Sequence, residues 1–185
     1  GVLLGKTYFA YATALTSAGA ESLPSESVFY SPTLQLTAIP NQKAIAADDA
    51  YLATCRGNAQ GLYPLGYVPH NHHFLWFAAS MEGASGIARE AALQTAARVN
   101  LPELMRQPGF EGLQHYWMTT WFERVRFGRW DDILGVANPA PDLPYVTAIW
   151  HYAQAMAALR QARPEDAAKH HAALSTLAAD PVMET

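Results

Sequence analysis

Three histidines stand at matching distances ahead of predicted turns and form the clearest chemical pattern in the chain. His70 and His115 each lie 13 residues before a glycine, and His151 lies 12 residues before Arg163. Neutral imidazole is a common ligand of transition metals, and His73 adds a second imidazole to the helix face of His70 at spacing i, i+3. The pattern is therefore compatible with a transition-metal site, for an ion such as zinc or copper, formed by His70, His73 and His115.

The same histidines also have a structural interpretation. Packed helices lie about 8–10 Å apart, so histidines on the first and third of three neighbouring helices are expected about 16–20 Å apart. Because Zn–N bonds are about 2.0–2.1 Å long, only adjacent helices can share an ion. We therefore expect each imidazole to hydrogen-bond a neighbouring helix. The alternative is metal binding, or metal-dependent hydrolysis with Glu82, Glu111 or Glu123 as the acid or base.

Aromatic and arginine side chains accompany the histidines. Aromatic residues at helical spacing usually belong to a core, but some should reach the surface of a helix that has one exposed side. Arg124, Arg126 and Arg129 suit an acidic peptide or a carboxylate, although a solvated helix face is the simpler interpretation. The residues that we expect to contact a partner are His70, Asn71, His73, Phe77, His115, Trp117, Arg124 and His151.

Three helical hairpins are predicted to position these residues. Their helices cover residues 70–82 with 85–99, 110–126 with 130–136, and 145–161 with 164–178. The turns between paired helices are short, which forces antiparallel neighbours, and prolines between the pairs interrupt the helices. Each hairpin has an apolar face that it cannot bury alone, so the hairpins are expected to stack.

The beginning of the chain is less regular. Helices are predicted over residues 6–17 and 41–55, separated by a connection over residues 21–40 that contains Ser, Pro and Thr. We therefore divide the chain into an N-terminal helix with an irregular connection, residues 1–40, and an array of helical hairpins, residues 41–185.

Composition and charge restrict the class of protein. Half of the 185 residues are hydrophobic, and frequent alanine, leucine and glutamate favour helices over sheet, so the predicted class is all-α. The 12 basic and 16 acidic residues give a net charge of −4 without a basic stripe, which argues against a nucleic-acid partner. The sequence contains no run of 18 apolar residues, so no membrane span is predicted. The single cysteine, Cys55, cannot form an internal disulfide, which fits a cytoplasmic location and leaves a periplasmic or secreted one open.

Two segments resemble a known family. The stretch FGRWDDIL at residues 127–134 and the spaced alanines Ala88, Ala92 and Ala96 resemble the turn and second helix of a tetratricopeptide repeat. The stretch YVPHNHHFL at residues 67–75, followed by a hairpin with a glycine turn, is similar to a bacterial subgroup of such proteins. The resemblance implies an α-solenoid of stacked antiparallel hairpins, whose concave surface is lined by the first helix of each hairpin and binds a protein or peptide. It implies no catalytic residue.

The sequence thus predicts a non-catalytic helical-repeat binding or scaffold protein that presents a concave groove to a peptide or protein partner and needs no cofactor. The alternative is a metal-binding or metal-dependent hydrolytic protein that uses the groove histidines. Self-association through uncapped terminal hairpins is a third interpretation.

Overall fold

A computed structural model describes residues 8–10, 28–30, 35–54 and 63–184 of the chain. Within these ranges the protein is built from eight α-helices, and the predicted helical class is confirmed. The helices are α1 (Gln35–Thr54), α2 (Val68–Glu82), α3 (Ser85–Arg98), α4 (Pro102–Met105), α5 (Leu113–Trp117), α6 (Thr119–Arg126), α7 (Pro144–Arg160) and α8 (Pro164–Ala178). No helix among the described residues is both long and apolar enough to cross a membrane.

A small sheet replaces part of the helix predicted over residues 6–17. Strand β1 (Tyr8–Ala10) pairs antiparallel with strand β2 (Val28–Tyr30), with Phe9 opposite Phe29. Both strands are rich in aromatic or β-branched residues, which favour a pleated strand over a helix, and the helix prediction is wrong at these positions. The rest of that predicted helix, and Cys55, lie outside the described residues.

Helix α1 begins at Gln35 rather than at the predicted Asn41. The prediction treated Pro40 as a boundary, because proline removes a backbone donor from a helix interior. Ala38 is nevertheless buried against Leu75 of α2 in a small core cluster. Tertiary packing of α1 on α2 therefore outweighs the local cost of the proline.

The first and third predicted hairpins are confirmed. In the first, α2 ends at Gly83, whose φ of 73° is the left-handed conformation that glycine adopts without strain, and α3 starts two residues later. In the third, α7 and α8 are joined by a turn in which Ala162 takes a φ of 55°. Both turns are short, so each pair of helices packs antiparallel along its length.

The second predicted hairpin is wrong in its second helix. The first helix is present as two pieces, α5 and α6, but residues 130–136 hold only a short 3-10 turn at Trp130–Asp132. Side chains of α7 bond the backbone carbonyls at the end of this segment. Gln154 Nε2 donates to the carbonyl oxygen of Ile133 at 2.8 Å, and Trp150 Nε1 donates to that of Val136 at 2.8 Å. These tertiary hydrogen bonds satisfy buried carbonyls and fix the non-helical course of the segment against α7.

The main core lies where α4, α5, α6 and α7 meet. Its most deeply buried members include Val99, Met105, Met118, Ile133 and Val146, each at most 1% exposed. Burying an aliphatic side chain of this size contributes about 1.5–3 kcal/mol, so this cluster dominates the stability of the described part.

The helices pack chiefly on their neighbours along the chain. Helix α1 packs on α2, α2 on α3, α3 on α6, α6 on α7, and α7 on α8. Helices α2, α5, α6 and α7 also contact one another directly through side chains. This direct contact positions the candidate site.

Candidate functional site

Histidine and aromatic rings from α2, α5, α6 and α7 form one continuous set of contacts, which we call the histidine–aromatic surface. Its members are His70, His73, Trp76 and Phe77 of α2, His115 and Tyr116 of α5, Phe122 of α6, and Tyr145 and Tyr152 of α7. The surface extends over α2, α5, α6 and α7, and helical spacing presents residues three and four apart on one side of a helix.

His115 is the centre of this surface. Its ring centroid lies 5.1 Å from that of His73 and 5.7 Å from that of Phe122. Its Nδ1 lies 2.7 Å from the hydroxyl oxygen of Tyr145, which joins α5 to α7 by a hydrogen bond. On the other side, the hydroxyl of Tyr116 lies 3.4 Å from Nδ1 of His70, which joins α5 to α2.

The outer part of the surface is aromatic. Trp76 and Phe122 lie with ring centroids 6.3 Å apart, and Phe122 and Tyr152 lie 6.5 Å apart, within the range of favourable ring pairs. Phe77, beside Trp76, is 54% exposed, and Phe74 is 49% exposed. Large rings with this exposure provide apolar area that the described fold does not bury.

His73, His115 and Tyr145 are held neutral near pH 7. The pKa of His73 is lowered to about 4, chiefly by burial and also by the neighbouring His115 and His70. Burial among the rings also lowers the pKa of His115, and it raises the pKa of Tyr145. These imidazoles and the phenol therefore act at neutral pH as uncharged donors and acceptors.

Two buried polar atoms of the surface have no hydrogen-bond partner among the described residues. They are Nε2 of His73 and Nε1 of Trp76. Their rings are 5.0 Å apart, so both lie at the same place on α2.

The structure separates His151 from the other turn-spaced histidines. His70, His73 and His115 come together as described, but Nδ1 of His151 lies 2.8 Å from Nδ1 of His170 on α8. Tyr145 takes the position on α7 next to His115. Histidines at the same distance from a turn therefore do not point to the same side of the molecule. The helical segment that holds His115 is interrupted at Met118 between α5 and α6, whereas α7 is continuous.

The other candidate residues lie in different surroundings. Asn71 donates a 2.7 Å hydrogen bond to Asp48 of α1, Trp117 packs against the main core, and Arg124 lies over the ring of Trp121 at 5.1 Å. Of the predicted contact residues, His70, His73, Phe77 and His115 thus belong to the histidine–aromatic surface.

The predicted metal site is not assembled. Within residues 8–10, 28–30, 35–54 and 63–184, no group of three or more His, Cys, Asp or Glu side chains is arranged to hold a metal ion. His115 instead hydrogen-bonds Tyr145, and His70 pairs with Tyr116. Histidine contacts between helices are what the structural interpretation expected.

A cavity of about 550 Å³ adjoins the surface at the first turn of α7. His115 and Tyr145 line it, together with Gln114, whose side chain is buried and whose Oε1 has no partner among the described residues. Sequence reasoning did not identify Gln114 or Tyr145. No local pattern marks them, since the contact between His115 and Tyr145 joins residues 30 positions apart.

Three comparisons with known proteins found no match. No family model, no curated protein and no solved structure matches the chain, and nothing among them identifies a tetratricopeptide family.

Proposed function

We propose that the protein is a non-catalytic helical-hairpin binding protein that holds a peptide segment of a partner along the histidine–aromatic surface. The observation that carries the proposal is the continuity of this surface across α2, α5, α6 and α7 around His115. A surface that spans four helices suits an extended ligand better than a small molecule, which favours one concave pocket.

The chemistry of the surface supports a peptide. Exposed Phe74 and Phe77 offer apolar area, and neutral histidine and tyrosine groups offer hydrogen bonds without a fixed charge. Aromatic side chains with a polar end are the residues most enriched where proteins bind other proteins. The buried Nε2 of His73 and Nε1 of Trp76 are polar atoms whose partner the described fold does not supply.

The arrangement of helices supports a solenoid, which is part of this proposal. Helices pack on their chain neighbours, and α8 packs mainly on α7, with Ala167 as its one buried residue among those described. In a solenoid each hairpin contacts the next, and the first helices together line a long binding surface. The tetratricopeptide resemblance belongs to the same proposal.

The test is selection of short random peptides displayed on phage against the immobilised protein, followed by fluorescence anisotropy of each selected peptide. We expect Phe77→Ala and His115→Ala to weaken binding about tenfold or more, as for central contact residues. His171→Ala is the matched control, because His171 is exposed on α8, away from the surface. Failure to select any peptide, or equal binding by all three variants, would overturn the proposal.

A further inference from the structure

The cavity beside His115 has a mixed lining. Its apolar residues are Met105 of α4, Leu143 and Pro144 at the start of α7, and Met183 near the chain end. Its polar residues include Glu111 and Gln114. A ligand group that fills it therefore needs both an apolar stem and a polar head.

The polar lining of the cavity is rich in hydrogen-bond acceptors. Gln114 is 6% exposed, and its carboxamide oxygen finds no donor among the described residues. Glu111 accepts a hydrogen bond from the backbone N–H of Gly109 through Oε2, at 2.8 Å, and no donor contacts its other oxygen among the described residues. The oxygen of Gln114 has almost no accessible surface, so a ligand reaches it when the side chain turns toward the cavity. A buried acceptor without a donor is costly, so a ligand that donates a hydrogen bond to the turned side chain gains from being bound there.

The charges of the lining leave an excess of negative charge. Glu111 and Asp142 contribute two carboxylates, and Arg106 contributes one guanidinium. Arg106 is already engaged, because its Nε and Nη2 contact both oxygens of Asp142 at 2.6 and 3.0 Å and its Nη1 contacts Glu103 at 3.0 Å. Glu111 is therefore the carboxylate of the lining that no cation pairs with in the described part of the chain, which favours a cationic head group.

We propose that this cavity binds the basic side chain of a lysine or arginine residue carried by the partner peptide. The aliphatic stem packs against Met105, Leu143 and Met183, and the charged head donates hydrogen bonds to Gln114 and Glu111. This assignment rests on the proposed function. It adds a specificity pocket to that function, since His115 and Tyr145 line both the cavity and the histidine–aromatic surface.

The position of the cavity fits this role. It adjoins the surface at His115 and Tyr145, where α5 meets the first turn of α7, so a peptide that lies across His115 reaches it with an adjacent side chain. Its volume of about 550 Å³ is ample for one long side chain.

The experiment titrates the ¹⁵N-labelled protein with Nα-acetyl-lysine methyl ester and follows amide chemical shifts. Nα-acetyl-norleucine methyl ester, which keeps the stem and lacks the ammonium, is the matched probe. We expect the lysine probe to shift the amides of Gln114 and Tyr145 and to bind at least about fivefold more tightly than the norleucine probe. Equal affinity for the two probes, or shifts confined to other parts of the chain, would overturn the assignment.

Two substitutions test the contacts with Glu111 and Gln114 separately. We expect Glu111→Gln to weaken the lysine probe about threefold to fivefold and Gln114→Leu to weaken it about tenfold. Gln114→Leu should fold, because an apolar side chain of similar size removes the unpaired buried oxygen. Glu165→Gln, an exposed carboxylate in the first turn of α8, is the control and should leave binding unchanged. Unchanged binding in both cavity variants would contradict the proposal.

The same probes distinguish failure of this inference from failure of the proposed function. If selected peptides bind but lack lysine and arginine, and Glu111→Gln leaves their affinity unchanged, the cavity assignment fails and the peptide surface stands. If no peptide binds but the lysine probe titrates the cavity, the pocket stands and the peptide function fails.

Discussion

Nδ1 of His115 lies 2.7 Å from the hydroxyl oxygen of Tyr145, and this hydrogen bond joins α5 to the first turn of α7. The two residues are 30 positions apart, and both belong to the histidine–aromatic surface and to the cavity beside it. His115 also contacts His73 of α2. One imidazole therefore connects α2, α5 and α7 at the place where we propose that the partner binds.

Replacing Tyr145 with phenylalanine tests the contribution of this bond to stability. Tyr145→Phe keeps the ring contact with His115 and removes the hydroxyl, so we expect the free energy of unfolding to fall by about 0.5–1 kcal/mol, measured by urea denaturation. Tyr152→Phe is the matched control, because Tyr152 contacts Phe122 by its ring and its hydroxyl has no hydrogen bond among the described residues. Equal losses in the two variants would show that the bond contributes nothing.

The buried histidines predict loss of stability in mild acid. Burial lowers the pKa of His73 to about 4, and burial, reinforced by Arg98, lowers that of His72 to about 4, against about 6.5 in the unfolded chain. Between these values the unfolded state binds more protons than the folded state, so stability falls as the pH drops from about 6.5 to 4 and levels off below. Each histidine contributes on the order of 1–2 kcal/mol to this loss after allowance for partial exposure.

We would measure urea denaturation of the His73→Phe variant and of the unaltered protein at a series of pH values. The comparison isolates the contribution of His73 to the loss of stability in acid. We expect the variant to lose less stability than the unaltered protein between pH 6.5 and 4, because the phenyl ring does not titrate. His171→Phe, an exposed position on α8, should follow the unaltered protein. A variant with the same pH dependence as the unaltered protein would show that His73 is not held neutral by the fold.

Local signals predicted two of the three hairpins. The hairpins of α2 with α3 and of α7 with α8 have long helices, mostly rich in alanine, and short turns, and the turn at Gly83 uses the conformation that glycine favours. The segment after Gly128 was misjudged, because its course is fixed by hydrogen bonds from Gln154 and Trp150 of a helix that follows later in the chain. A hydrogen bond between distant residues leaves no periodic signal in the sequence.

The candidate site was also predicted only in part. Histidines spaced along α2 and α5 indicated a shared surface, and the structure brings His70, His73 and His115 together. The spacing did not predict that His151 pairs with His170, nor that Tyr145 bonds His115, because both depend on the rotation of α7 about its axis. Rotation is set by packing against the core, through residues such as Val146 and Ala153.

Two glycine-to-alanine substitutions should have different effects. At Gly128, φ is +67° and an added Cβ would lie 3.4 Å from the indole of Trp130, so we expect Gly128→Ala to lower stability by about 1 kcal/mol or more. At Gly86, in the first turn of α3, an added Cβ meets nothing within 4 Å, so Gly86→Ala should be neutral or stabilise by up to about 0.5–1 kcal/mol. Thermal unfolding of both variants measures the difference, and equal melting temperatures would contradict the assigned backbone conformations.

Loss of the ion pair between Glu123 and Arg129 should lower stability by an amount that depends on pH. Glu123 is 3% exposed, its Oε1 lies 3.0 Å from Nε of Arg129, and burial raises the pKa of its carboxyl although Arg129 acts in the opposite direction. Arg129→Met removes the cation and leaves a buried carboxylate, so we expect a loss of about 3 kcal/mol at pH 7 by urea denaturation.

Because the folded-state pKa of Glu123 lies above its unfolded value, stability is lost as the pH rises through that pKa, and the variant should recover as the pH is lowered toward 5. The double variant Glu123→Leu with Arg129→Met removes both charges and should be more stable at pH 7 than Arg129→Met alone. If the single variant is equally destabilised at pH 5 and pH 8, the loss comes from packing of the arginine stem and not from an unpaired carboxylate.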